Sequence, residues 1–354
     1  MTGETLSLAS ANQTANQTAN QTVNQSDTLL VNLVYSRTEL ASGCTLAVLS
    51  PITVTTNVLL LTAIFKDPLK YFKKPTSYFV LGLSGADLLC GLFVEPFFAL
   101  YYFGRFFRAS SEFQAISRTL FMIGSVISTA SLNASFIMVL MLSTAQFIAI
   151  EYPYRYKTWI KKKFVLPSVL ATWVYFIVFS LLPIVGVDLD LFFKLNLTIH
   201  STLISVILAI LQISTYKAFR VHSEHQKIKR IATSLWRSAQ IDSQQNGNGR
   251  KLLMNKSFRS RGLDRHFIVM TFYLSAILLF SAFPHIGVFY VFLYKQPQSA
   301  SEELNLNVLL RITDLLLFVK VAADAFIFAW RLPTYRKSLE FLITGKLQRL
   351  ETGV

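Results

Sequence analysis

Cysteine is nearly absent: Cys44 and Cys90 are the only two in 354 residues. One falls at the start of an apolar stretch and the other deep in the next, so their placement offers neither a disulfide framework nor a Cys/His metal site. Charge is scarce too, at 15% of the chain against roughly 25% in soluble domains. No nucleophile, His–carboxylate pair or metal-ligand spacing stands out, so neither catalysis nor a metal or cofactor is expected. Residues 1–40 lack an apolar leader segment, and no cleavable signal peptide is expected.

What fills the chain instead is apolar, 53% of it. Apolar stretches fall at 45–65, 76–101, 117–150, 164–187, 193–220, 266–294 and 305–331. About 20 residues suffice for a helix to cross the hydrocarbon core of a bilayer. Lipid offers backbone groups no partner, so such segments satisfy their own hydrogen bonds as helices. A soluble core would not need seven helices of this length. The expected fold is an all-α membrane protein, a seven-transmembrane helix bundle.

The net charge of +15 could mean nucleic acid, but in such a chain it reports loops facing anionic lipid. Before the first span the only basic residue is Arg37; after it come Lys66, Lys70, Lys73 and Lys74. The loop after span three holds Arg155, Lys157 and Lys161 to Lys163, and the 221–265 loop is densely basic, with a linker-like stretch at 240–250. The opposite connections carry Asp188, Asp190, Glu302 and Glu303. This asymmetry places the N-terminus outside and the C-terminus inside. Tandem ANQT repeats agree, presenting sequons at Asn12, Asn16, Asn20 and Asn24 in a tail (1–40) expected to be disordered and glycosylated. The sequons at Asn133 and Asn255 read as accidents of position, and Asn196 lies too near the bilayer to be modified. After the 41–331 bundle, 332–354 holds a short amphipathic helix expected to lie on the membrane. Tyr335, Leu339, Leu342 and Ile343 share one face, opposite Arg336, Lys337 and Glu340.

Ionisable groups at bilayer depth cost several kcal/mol unless paired or hydrated. Asp87 lies midway through span two, and span seven carries Arg311, Asp314, Lys320 and Asp324. Lys320 and Asp324, four apart, share a helix face suited to an ion pair. The outer Arg311 and Asp314 read first as a surface pair. A lysine between two buried carboxylates is easier to rationalise than any of the three alone.

This pattern resembles the rhodopsin-like G-protein-coupled receptors over nearly the whole chain beyond the tail. Asn57 matches that family's span-one asparagine, Asp87 its sodium-pocket aspartate, and Ser135 its sodium-pocket serine. Trp173, Pro284 and Tyr216 match its span-four tryptophan, span-six proline and span-five switch tyrosine. DAFIFAWRLPTYRKSL overlays the N-P-x-x-Y motif and its following helix. The resemblance implies an extracellular ligand, a heterotrimeric G protein as partner, membrane lipid around it, and residence in the plasma membrane.

Departures from the pattern concentrate where coupling is expected. Asp-Arg-Tyr is replaced by Ala145-Gln146-Phe147, and N-P-x-x-Y has become Asp324 to Phe328. With Tyr216 these positions make the expected transducer face. Ala282 replaces the toggle tryptophan, Leu208 the span-five proline, and Phe121 the span-three cysteine. The missing cysteine and the short connection near Asp188 are similar to the melanocortin, cannabinoid and lysophospholipid branch. Lys320 falls where the family places a sodium-pocket asparagine, so its ammonium is expected to replace the ion, with Asn57, Asp87, Ser135 and Asp324 around it. A retinal lysine would stand at Phe318, about 200° around the helix from Lys320. Ligand-pocket candidates are Glu95, Ser128, Arg311 and Asp314; Ser128 replaces the amine-receptor aspartate. Two other classes stay open: a receptor-like decoy or scaffold without G-protein coupling, and an ion transporter or channel, which the lack of internal repeats disfavours.

Overall fold

The computed structural model describes the backbone of residues 3–67, 72, 74–241 and 250–344, and the side chains of 33–67, 72, 74–224, 228, 267–333 and 335–342. Everything regular among them is helical. Span one is α1 (Gly3–Lys66). Span two is α2 (Ser77–Leu89), a π segment (Cys90–Val94) and α3 (Glu95–Phe106). Span three is α4 (Ser111–Glu151); after the short α5 (Pro153–Trp159), span four is α6 (Lys162–Ser180). Span five runs through α7 (Leu189–Leu195), a second π segment (Asn196–Leu203) and α8 (Ile204–Ile241). Spans six and seven are α9 (Arg250–Tyr294) and α10 (Ala300–Arg331), and α11 (Pro333–Thr344) closes the chain. Six of the spans are apolar enough to cross a membrane on composition alone; α10 is as long but carries the four buried-depth charges. The end holding the turns near 107–110, 181–188 and 295–299 is termed upper, and the end with α11 lower.

Span three forms the axis, touching spans two, four, five and six, while α1 packs on span two and α10. Lipid removes the hydrophobic drive between helices, so close packing of small residues must hold them. Gly91 shows this: a Cβ there would stand 2.9 Å from Thr53 Cγ2 of α1. The first π segment precedes Pro96, whose missing N–H and ring disturb the regular register. Ser50 of α1 donates to the Gly91 carbonyl at 2.8 Å and so satisfies an acceptor inside the segment. Upper turns are capped locally: Asp188 accepts from the Leu191 amide and Ser299 from the Glu302 amide. Lys295 and Glu302 pair across the turn between spans six and seven.

Two expectations are revised. Helix α1 begins at Gly3 rather than after a structureless tail; no glycine or proline lies between Glu4 and Ser42 to interrupt it. The side chains of Asn12, Asn16, Asn20 and Asn24 lie outside the described residues, as do residues 242–249 of the 240–250 stretch. Span four stops at Ser180 instead of 187, because Pro183 cannot donate to a continuing helix and turns follow through Gly186, which takes a positive φ of 101°. The short helix expected after span seven is present as α11, which touches α1 and α10 and buries Tyr335 and Ser338 almost fully. Burial pushes the Tyr335 phenol up to about 12, so it remains protonated.

Candidate functional site

Span seven carries Lys320 into the centre of the bundle, where its side chain is 0% exposed. Its ammonium lies 2.7 Å from Asp324 Oδ2, one helical turn on, and donates to Ser135 Oγ of span three at 2.5 Å. The Asp324 contact is an ion pair by distance rather than an aligned hydrogen bond. Asp87 is equally buried, and neither of its oxygens has a hydrogen-bond partner among the described residues. It stands within electrostatic reach of Lys320, Asp324 and Glu95. Two carboxylates and one ammonium therefore share a site closed to water. Asn57 sits one layer away: it accepts from Ser84 Oγ at 2.9 Å and ties span one to span two.

Above this set a cavity of about 460 Å³ opens between spans three, five, six and seven. Phe98, Phe121, Phe136, Phe193, Phe289 and Phe318 give it mostly aromatic walls. Its polar groups include Ser128, Asn133, Asn196, His285, Arg311 and Asp314. His285 pairs with Asp314 at 3.2 Å, and Arg311 stacks over the Tyr102 ring while donating to its hydroxyl. So the outer charges of span seven do not pair with each other; each turns to a different helix. Phe318 lines this cavity and Lys320 does not.

Glu95, grouped with the cavity from the sequence, is placed elsewhere. It is fully buried against span one, accepting from Thr53 Oγ1 at 3.1 Å. The π segment just before it shifts the helical phase on which that grouping relied.

At the lower end, Ala145, Gln146 and Phe328 are buried and Phe147 is half-buried against Tyr152. Tyr216 is 58% exposed at the lower part of span five. Leu208, Gln212 and Thr215 form the buried stripe of span five, and Tyr216 falls roughly 70° off it at about 100° per residue.

Two polar groupings had gone unnoticed. Gln212 donates to Ser143 at 2.9 Å and to Ser275 at 2.7 Å, and the two serines are 3.0 Å apart, clasping spans three, five and six. Higher up, Asn133 donates to Asn196 at 2.8 Å; His200 reaches the same Asn196 oxygen at 3.3 Å and the Tyr175 hydroxyl at 2.9 Å, linking spans three, four and five. The available signal was a lone polar residue in each apolar run, such as Gln212 in LAILQIS. Asn133 had been set aside as a chance sequon.

Residues 56–328 match the family model of the 7 transmembrane receptor (rhodopsin family). Among solved structures, the chain is similar in fold to the crystal structure of squid rhodopsin, at a TM-score of 0.66 and 12% identity over 88% of this chain and 87% of that one. No curated protein sequence matches it.

Proposed function

Because the chain belongs to the rhodopsin family of seven-transmembrane receptors, we propose that it turns ligand binding in the upper cavity into a rearrangement of the lower ends of the spans, read there by a heterotrimeric G protein. The observation that carries the reading is the shared use of spans three, five and six. The same three helices wall the cavity and close the Ser143–Gln212–Ser275 clasp beneath it. A ligand that prefers one packing of these helices shifts the population at the other end. Loop charge sets the upper end outside the cell, with Asn12, Asn16, Asn20 and Asn24 glycosylated and the protein resident in the plasma membrane.

Within this receptor, Lys320 acts as a tethered cation in place of a diffusible one. It faces Asp324 and Ser135 directly and Asp87 at longer range, so the balance between packed states is indifferent to sodium. The lower end departs from its family at one point that bears on coupling. Gln146 stands in the arginine position, 5% exposed and with its carbonyl oxygen unpartnered. A panel of G proteins, assayed with wild type and Gln146→Arg, tests the reading. Activation by wild type supports it; activation gained only in the variant identifies a receptor-like chain that has lost coupling.

A further inference from the structure

Arg311 is exceptional among the cavity residues. Asp314 turns toward His285, 3.2 Å from its Nδ1, and Glu39, within electrostatic reach of Arg311, is already taken by Arg105 at 2.7 Å. Among the described residues no carboxylate lies within ion-pair distance of Arg311, and its one hydrogen bond goes to Tyr102. Most of its fork of five N–H donors is thus unclaimed, and it faces aromatic walls.

Arg311 also lines a second cleft of about 450 Å³, which opens between α1 and α10 on the outside of the bundle. Leu33 and Val34 of α1 and Ile312 of α10 line it and are about half exposed, on the outer face of the bundle toward its upper end. Arg37, exposed, adds a second cation at its rim. One guanidinium is therefore shared by an aromatic cavity and a cleft open to the outside of the bundle. Around it, Arg37, Arg105 and Arg311 stand against the carboxylates Glu39 and Asp314.

We propose that the ligand is a single-chain anionic amphiphile, an acyl chain ending in a carboxylate or phosphate, which enters from the bilayer between α1 and α10 and seats its head group on Arg311. The chain then lies against the phenylalanine walls, and the planar guanidinium meets a carboxylate or phosphate through two parallel N–H donors. A cationic ligand would meet repulsion at Arg311, whose guanidinium has no carboxylate within ion-pair distance among the described residues. This assignment rests on the receptor reading for the use of the cavity, but not on G-protein coupling.

Radiolabelled oleate and oleoyl lysophosphatidate, bound to the full chain in zwitterionic nanodiscs, test it against monoolein (the neutral counterpart), oleylamine and inorganic phosphate. At least one anionic amphiphile is expected to bind ten-fold or more tightly than monoolein, with no competition from inorganic phosphate. Arg311→Gln is expected to abolish that preference and Arg311→Lys to retain most of it, which separates lost charge from lost folding. Ala41→Trp, filling the cleft while sparing Arg311, is expected to slow association ten-fold or more. Equal binding of monoolein or oleylamine, a preference that survives Arg311→Gln, displacement by inorganic phosphate, or unchanged association in Ala41→Trp would each overturn the proposal. No transducer enters the experiment, so these failures leave the coupling assay to decide the receptor reading separately.

Discussion

Removing the ammonium from the centre of the bundle is the sharpest perturbation available. At 2.7 Å and an effective dielectric of about 20, the Lys320–Asp324 attraction is about 6 kcal/mol, much of it offset by the desolvation of both groups. What a variant reveals is the cost of stranding the partner, about 3–5 kcal/mol for a buried pair. Lys320→Met strands two carboxylates, Asp324 and Asp87, and sits at the upper end of that range. Asp324→Asn leaves the ammonium with Ser135 and with Asp87 in reach, at roughly 1.5–3 kcal/mol on the scale of an interaction lost to a charged group. Each kcal/mol moves Tm by about 2–4 °C in domains of 150–250 residues and by about 2 °C or less in a chain of 354, so Lys320→Met lowers Tm by up to roughly 10 °C and Asp324→Asn by up to roughly 3–6 °C. The double variant Lys320→Met/Asp324→Asn strands one carboxylate instead of two and is expected to be more stable than Lys320→Met alone. Thermal unfolding of the purified variants in detergent reads all three. Additive losses, or a Lys320→Met protein as stable as Asp324→Asn, would refute the shared-ammonium arrangement.

Three further outcomes follow from the same geometry. Gln212→Leu removes two interhelical hydrogen bonds, each about 0.6 kcal/mol and at most about 1.7 in a membrane protein, and should shift the balance of lower-end packings roughly ten-fold, read by a fluorophore on the inner part of span six. Gly91→Val forces α1 away from span two against the 2.9 Å approach of Thr53 and should cost about 1–3 kcal/mol, seen as a lower Tm with unchanged expression. At the exposed turn between spans six and seven, hydrogen bonding from Lys295 holds the Glu302 carboxyl below its ordinary value. Its contribution is present above the unfolded carboxylate range and is lost as pH falls through the lowered value, so the protection of the Gln298 amide, its exchange rate relative to the intrinsic rate at the same pH, should fall in acid and lose that dependence in Glu302→Gln.

How much of this was legible follows from what each feature depends on. The Lys320–Asp324 pair needs only the pitch of one helix, so two residues four apart announced it. Ser135 was marked by the resemblance alone, since nothing local shows that span three brings it beneath a lysine 185 positions away. Glu95 was misplaced by an error of helical phase. For Glu95 the shift comes from a π segment that Pro96 favours and Ser50 of another helix completes. The Ser143–Gln212–Ser275 clasp joins residues 63 to 132 positions apart, and no helical periodicity links them. The start of span one was set by hydropathy, which marks where lipid begins but not where a helix does.

The claim that Lys320 stands where an ion would otherwise sit is tested most directly by titrating sodium against choline chloride at constant ionic strength while following the Tm of wild type and Lys320→Asn. Wild type is expected to show no sodium-specific change, and Lys320→Asn to gain stability with sodium alone, as the cation occupies the freed space beside Asp87, Ser135 and Asp324. A wild-type response to sodium as large as that of the variant would contradict the account.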